Sequence, residues 1–73
     1  MELVNHIKQH RARLDMTQQA LAEQVKVSRQ TIISIERGRY VPSTLLAFRI
    51  ARALDMRVDE LFELKVRKDT DEE

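Results

Sequence analysis

The sequence predicts an all-α domain of five helices, with a short β-strand pairing of the C-terminal segment as an addition to them. Three observations point there. Apolar residues recur at helical spacing through most of the chain, and serine or threonine stands at three positions where a helix would begin. A single glycine and a single proline leave little room for the tight turns of a sheet protein. At 73 residues the chain holds one domain, whose modest core would gain stability from pairing with a second copy.

Taken in order, Leu3, Ile7 and Leu14, with Arg11 on the same stripe, place helix one over residues 3–14. Thr17 is an N-cap for helix two, whose apolar face is Leu21, Ala22 and Val25, and Ser28 is an N-cap for helix three, which carries Ile32 and Ile35. Only Lys26 and Val27 separate the two. Gly38 stands where a helix end needs a left-handed residue, and Val41-Pro42-Ser43 then gives an extended pre-proline residue and a fresh cap. Helix four runs from there to about Leu54, with Leu46, Ala47, Ile50, Ala51 and Leu54 inward. Val58-Asp59-Glu60-Leu61-Phe62 forms a last short helix with carboxylates at its positive end.

Beyond it the period changes: Phe62, Leu64 and Val66 alternate with Glu63, Lys65 and Arg67, as in a half-buried strand. A lone strand needs a partner. Leu3-Val4 or the same segment of a second subunit would supply one; otherwise residues 63–73 fray. The domain is expected to span residues 1–66, followed by a charged, disordered tail over residues 67–73.

Charge is distributed unevenly behind a net value of +1. Residues 1–54 hold nine basic and four acidic side chains, and residues 55–73 hold four basic and eight acidic ones. A basic body with an acidic tail suits a polyanionic partner better than the total does. With no cysteine there is no disulfide framework or thiolate site. The N-terminal Met1-Glu2-Leu3-Val4-Asn5 has neither the basic nor the long apolar region of a signal peptide, and no run is long enough to span a membrane, so the expected location is cytoplasmic. No nucleophile–base set and no glycine-rich phosphate loop is present, so neither an enzyme, nor a cofactor, nor a small-molecule substrate is expected. His6 and His10 are four apart, but no third metal ligand accompanies them.

Two short helices joined by a tight turn match a helix-turn-helix, here over residues 18–37 with the recognition helix over 28–36. Its spacing is restrictive: Leu21, Val25, Val27, Ile32 and Ile35 fall at the buried positions, and the small Ala22 falls where the two helices touch. The stretches Thr17-Gln18-Gln19-Ala20-Leu21-Ala22, Val27-Ser28-Arg29-Gln30-Thr31-Ile32, Ile35-Glu36-Arg37-Gly38, Tyr40-Val41-Pro42-Ser43, Arg49-Ile50-Ala51-Arg52-Ala53-Leu54 and Asp59-Glu60-Leu61-Phe62 resemble the Cro/cI, or XRE, family of transcriptional regulators. That resemblance covers residues 4 to about 63. It implies a compact, lambda-repressor-like five-helix domain that binds double-stranded operator DNA, commonly as a homodimer, with helix three in the major groove.

The chemistry of the residues agrees with that role. Arg29 and Gln30 project from the first turn of helix three and Ser34 lies one turn on, away from Ile32 and Ile35. Arginine can donate twice to guanine and glutamine can pair with adenine, so these three are the expected base readers. Gln18, at the start of helix two, resembles the family's phosphate-contacting glutamine. Arg37, Arg39 and Tyr40 are expected on the backbone at the other side, with Gln19, Lys26, Ser28 and Thr31 in support. The resemblance also implies a structural ion pair between Arg11 and Glu36. Phe62, Leu64 and Val66 are the candidates for the dimer surface.

Some positions depart from the pattern. Lys26 stands where the family has a turn glycine with positive φ, which a lysine adopts at a cost of about 1 kcal/mol. Asp55 replaces a glycine after helix four, Arg57 stands where a capping serine is usual, and His10 falls at a position that is apolar and core-facing in relatives, where it is either pH-sensitive or simply tolerated. Ile33 lies beside the readers and would meet a thymine methyl, helix four or a second subunit. A near-palindromic operator bound by a homodimeric repressor is the leading expectation; an antitoxin or protein-interaction partner whose DNA binding is autoregulatory is the alternative.

Overall fold

The computed structural model describes residues 1–66, so the tail expected over residues 67–73 lies outside the described residues. The elements run β1 (Glu2–Asn5), α1 (Ile7–Arg13), α2 (Gln18–Val25), α3 (Arg29–Glu36), α4 (Thr44–Ala53), α5 (Val58–Leu61) and β2 (Phe62–Lys65). Five helices are therefore present, with a small antiparallel sheet joining the two ends of the described chain.

Three helices start on the side chains that the sequence marks for the purpose. Thr17 accepts from the Ala20 N–H at 3.0 Å, Ser28 from Thr31 at 3.1 Å and Ser43 from Leu46 at 3.1 Å. Each cap residue is extended, which satisfies a donor the helix itself cannot pair. At α5 the cap residue Arg57 offers no acceptor; instead the Glu60 carboxylate accepts from the Arg57 N–H at 3.3 Å. The acidic first turn, Asp59 and Glu60, also favours the helix dipole there.

The first four helices end alike. A residue in the left-handed region follows each one: Asp15 (φ 55), Lys26 (φ 64), Gly38 (φ 75) and Asp55 (φ 58). The next N–H then reaches back five residues, from Met16 to Arg11, Val27 to Ala22, Arg39 to Ser34 and Met56 to Ala51, at 2.8 to 3.0 Å. This is the Schellman turn, which satisfies the last carbonyls of a helix and turns the chain sharply. Met16, Val27 and Met56, the residues just past the turn, pack against the core. Only one of the four uses glycine, and the other three bear the steric cost of a Cβ in this conformation.

The core is built from Ile7, Leu21, Ala22, Val25, Ile32, Ile35, Leu46, Ile50, Ala51, Leu54 and Leu61. Every helix contributes to it. Ala22 is fully buried where α2 lies against α3, and its lack of bulk lets the two backbones approach.

One expected element is corrected. Helix one does not begin at Leu3, because Glu2–Asn5 forms β1 and pairs with β2 in the register Glu2↔Lys65, Leu3↔Leu64, Val4↔Glu63 and Asn5↔Phe62. The pairing continues through the His6 N–H to the Leu61 carbonyl at 2.9 Å. The spacing of Leu3 and Ile7 fits a helix by coincidence; a strand partner some sixty residues away decides the matter. Leu14 likewise stands outside the buried core.

At the mouth of the sheet His6 Nε2 donates to Glu63 Oε1 at 3.0 Å. That hydrogen bond holds the Glu63 carboxyl below its ordinary value of 4.5, with Lys65 adding to the effect. A depressed carboxylate stabilises the fold above its unfolded pKa and stops doing so as pH falls through its folded value. The stability lost in Glu63→Gln should therefore be greatest near neutral pH and shrink below pH 4.5, as urea midpoints across that range would read. A second outcome concerns the turn: Lys26→Gly relieves a left-handed lysine and should raise stability by about 1 kcal/mol, a gain of roughly 4–8 °C in Tm by calorimetry.

Candidate nucleic-acid interface

The placement of α3 depends on one carboxylate. Glu36, the last residue of α3, receives the Arg11 guanidinium in a forked contact, Nε to Oε2 at 2.7 Å and Nη2 to Oε1 at 3.2 Å. The third guanidinium nitrogen, Nη1, donates to the Met16 carbonyl at 2.9 Å, and Gln18 Nε2 donates to Glu36 Oε1 at 3.1 Å. The pair is largely removed from water, with side-chain exposures of 13% and 7% for Arg11 and Glu36. Through it α1, the α1–α2 loop, the start of α2 and the end of α3 are tied at one point. From the other side, Asn5 Nδ2 donates to the Ile35 carbonyl at 2.9 Å while its Oδ1 accepts from the Ile7 N–H at 3.2 Å.

So held, α3 presents its outer face to solvent. Arg29 and Gln30 are exposed on the first turn, and Ser34, one turn on, is half-buried. Among the described residues neither Arg29 nor Gln30 has a side-chain hydrogen bond or an ion pair, so their donors are uncommitted. Ser28 and Thr31 are committed, since their hydroxyls lie 3.0 Å apart and Ser28 also caps the helix. Ile33 is half-buried.

The flanking positions differ in the same way. Arg37, Arg39 and Tyr40 follow α3 on the Schellman turn at Gly38 and are exposed, as is Lys26 in the turn between α2 and α3. Gln19 is exposed and donates to Glu23 at 3.0 Å. Gln18 is half-buried at the start of α2, with one amide hydrogen engaged by Glu36. Phe62 packs against the protein's own core, whereas Leu64 and Val66 point outward.

Sequence reasoning passed over Asn5 and the contact between His6 and Glu63. An asparagine two residues ahead of the first helical residue is the signal that was there to find, because its short amide can cap the turn. His10 is half-buried and accepts from Arg13 Nε through Nδ1 at 3.3 Å. Among the described residues no group of three His, Cys, Asp or Glu side chains is gathered to hold a metal, and no helix is long and apolar enough to cross a membrane.

Two short capped helices in fixed contact, the second with an uncommitted polar outer face, define the helix-turn-helix class. Comparisons with known proteins agree. A family model for the helix-turn-helix, HTH_3, matches residues 7–61. A protein of Methanothermobacter thermautotrophicus described as an uncharacterised HTH-type transcriptional regulator is 62% identical over 48 residues, which is 66% of this chain and 70% of that one. YgzD of Bacillus subtilis, described in the same words, is 46% identical over 61 residues, covering 84% of this chain and 92% of its own length. Among solved structures, the clp gene regulator ClgR of Corynebacterium glutamicum matches with a TM-score of 0.71 and 31% identity, over 74% of this chain and 57% of ClgR. The present chain thus spans little more than half of ClgR.

The chain belongs to this helix-turn-helix family, the XRE type of DNA-binding transcriptional regulator. The family is in general not enzymatic.

Removing the carboxylate leaves Arg11 charged and without its partner in a site largely removed from water. Glu36→Ala should cost about 3–5 kcal/mol in urea denaturation, and Arg11→Met combined with Glu36→Leu should recover most of that loss.

Proposed function

We propose that this protein is a repressor that binds a near-palindromic operator as a homodimer, with α3 of each protomer in the major groove. The observation that carries the reading is the state of Arg29 and Gln30: exposed, adjacent on the first turn of a rigidly held helix, and free of partners within the described residues. Arg29 donates to guanine O6 and N7, and Gln30 pairs with adenine N6 and N7, each worth roughly 1–3 kcal/mol of discrimination. Ser34 touches the base edge one turn further along.

The remaining contacts position the protein and carry no sequence information of their own. Gln18 uses its second amide hydrogen and the positive end of α2 on a phosphate, while Glu36 keeps its side chain oriented. Arg37, Arg39 and Tyr40 grip the strand beyond α3, and Lys26 reaches a phosphate from the turn. Gln19, Ser28 and Thr31 assist, the last two limited by their bond to each other. Two such half-sites lie about 34 Å apart, one turn of DNA, so a two-fold dimer matches a palindrome. Repression follows from occupancy of the site.

Selection from a random DNA pool tests the reading. The native protein should return an inverted repeat, and Gln30→Ala should return the same repeat with preference relaxed at one position of each half-site. Arg37→Ala should instead weaken all sequences alike and reduce the slope of log K against log salt by about 1. Unchanged preference at every base in Gln30→Ala would remove Gln30 from the readers.

A further inference from the structure

We infer that the groove between the end of α2 and α4 is an anion site that takes a phosphate group. The site extends the phosphate contact proposed for Lys26 and does not depend on Arg29 or Gln30 reading bases. Gln24, Val25 and Lys26 line the groove from α2 and its turn, and Arg49, Arg52 and Ala53 line it from α4. Its floor is apolar, since Val25 is buried and Ala53 half-buried. Around that floor stand four exposed side chains, Gln24, Lys26, Arg49 and Arg52, each with hydrogen-bond donors to offer. No carboxylate is among the lining residues.

The other arginines outside the recognition face are engaged. Arg11 is held by Glu36 and Met16, Arg13 by His10 and Met56, and Arg57 by Asp59. Among the described residues the side chains of Gln24, Lys26, Arg49 and Arg52 have no hydrogen bond and no ion pair. Glu23, the carboxylate next to Gln24 in the chain, accepts from Gln19 instead. Arg49 and Arg52 also edge the larger groove between α4 and α5, where Asp55, Asp59 and Glu60 stand. Asp59 is paired there with Arg57, and among the described residues no ion pair joins Arg49 or Arg52 to a carboxylate. Three cations gathered without a counter-charge repel one another, and an anion between them turns that repulsion into attraction. Helix dipoles match part of the cluster, because a cation at the C-terminal end of α2 and of α4, Lys26 and Arg52, is favourable. Arg49, a turn earlier on the same face of α4, is matched by neither.

Lys26 points the same way through its backbone. It holds φ 64, a conformation that glycine takes without strain, so the turn itself gains nothing from a lysine. Strain borne by a residue whose charge lines a basic groove is the mark of a side chain that serves binding rather than stability. The guanidinium groups of Arg49 and Arg52 offer forked donors that match phosphate oxygens, and Lys26 adds a point charge. At about 390 Å3 the groove lies at the small end of ligand sites, which span roughly 300–1,000 Å3. It admits one phosphate group, carried by a DNA strand or by a free small molecule.

Two measurements on the full chain test this, with thermal melts followed by circular dichroism to establish that each variant is folded. In the first, inorganic phosphate replaces chloride at fixed ionic strength while the arginine Nε–H and glutamine side-chain NMR signals are followed. The Arg49, Arg52 and Gln24 signals should move together along one saturating curve, and those of Arg13 and Arg57 should stay in place. Arg49→Gln combined with Arg52→Gln should abolish the curve. Lys26→Gly should melt above the native protein and yet bind phosphate several-fold more weakly, a loss that unfolding cannot produce. In the second, the salt dependence of duplex binding identifies the source. A slope of log K against log salt that is shallower by about 0.9 in the double variant assigns the phosphate to the DNA strand. An unchanged slope beside a lost phosphate curve assigns it to a free small molecule. Signals of all arginines that drift alike without saturating, or variants that bind phosphate as the native protein does, overturn the assignment. A native protein that saturates with phosphate yet shows no sequence preference among duplexes defeats the operator reading and leaves the groove standing.

Discussion

The Glu36 carboxylate is the constraint on which the rest of the interface depends. It closes α3 and accepts from Arg11 and Gln18, so the helix proposed to face DNA is fixed to the two helices behind it. An eight-residue helix has no stable orientation of its own; isolated helices of that length are marginal in water, and tertiary contacts must hold them. Apolar packing through Ile32 and Ile35 fixes which face turns inward but permits sliding and rolling. Directional bonds at the helix end remove that freedom. Because both charges are withdrawn from water, the arrangement contributes more to a single geometry than to net stability.

The second device is repetition at the helix ends. Four left-handed turns, each with a bond reaching back five residues, allow four helices to be joined by connections of a few residues. A small domain gains from this, since short connections leave little chain to be ordered without packing. Placing Met16, Val27 and Met56 just after three of the turns returns the chain at once to the core, offsetting the strain at Asp15, Lys26 and Asp55. At Gly38 the residue that follows is instead Arg39, and there the chain is directed outward, toward the face proposed to meet DNA.

What the sequence made legible follows from the range of each interaction. The caps Thr17, Ser28 and Ser43 bond within three residues of themselves, so side-chain type alone identified them. The buried stripes of α2, α3 and α4 follow the helical period, and the spacing of Leu21, Ala22, Val25, Ile32 and Ile35 matched one motif closely. Leu3 fitted two readings, the start of a helix and a strand partner for the C-terminal segment, and the second holds because its environment is set by Leu64, which a local period cannot register. The long-range bonds of Asn5 and His6 escaped for the same reason, as their acceptors, the Ile35 carbonyl and Glu63, lie far along the chain. The exposed Leu45 and Phe48 differ again: the helical period marks inward positions and gives outward apolar residues no role until the burial of each is known.

Commitment and freedom are divided in a way that bears on recognition. Gln18, Ser28 and Thr31 spend bonding capacity on the protein itself, which makes their positions definite and restricts what they offer to a ligand. Arg29 and Gln30 spend none, and stand on a backbone fixed at its start by the Ser28 cap and at its end by Glu36 and the Gly38 turn. A reader built this way spends little free energy on ordering its backbone when it binds, and the loss is confined to two side chains. The two kinds of residue therefore depend on each other: under the proposed function, free side chains discriminate between bases only as well as the committed ones hold the helix, and a loss at Glu36 would blunt the proposed readers Arg29 and Gln30 without touching either.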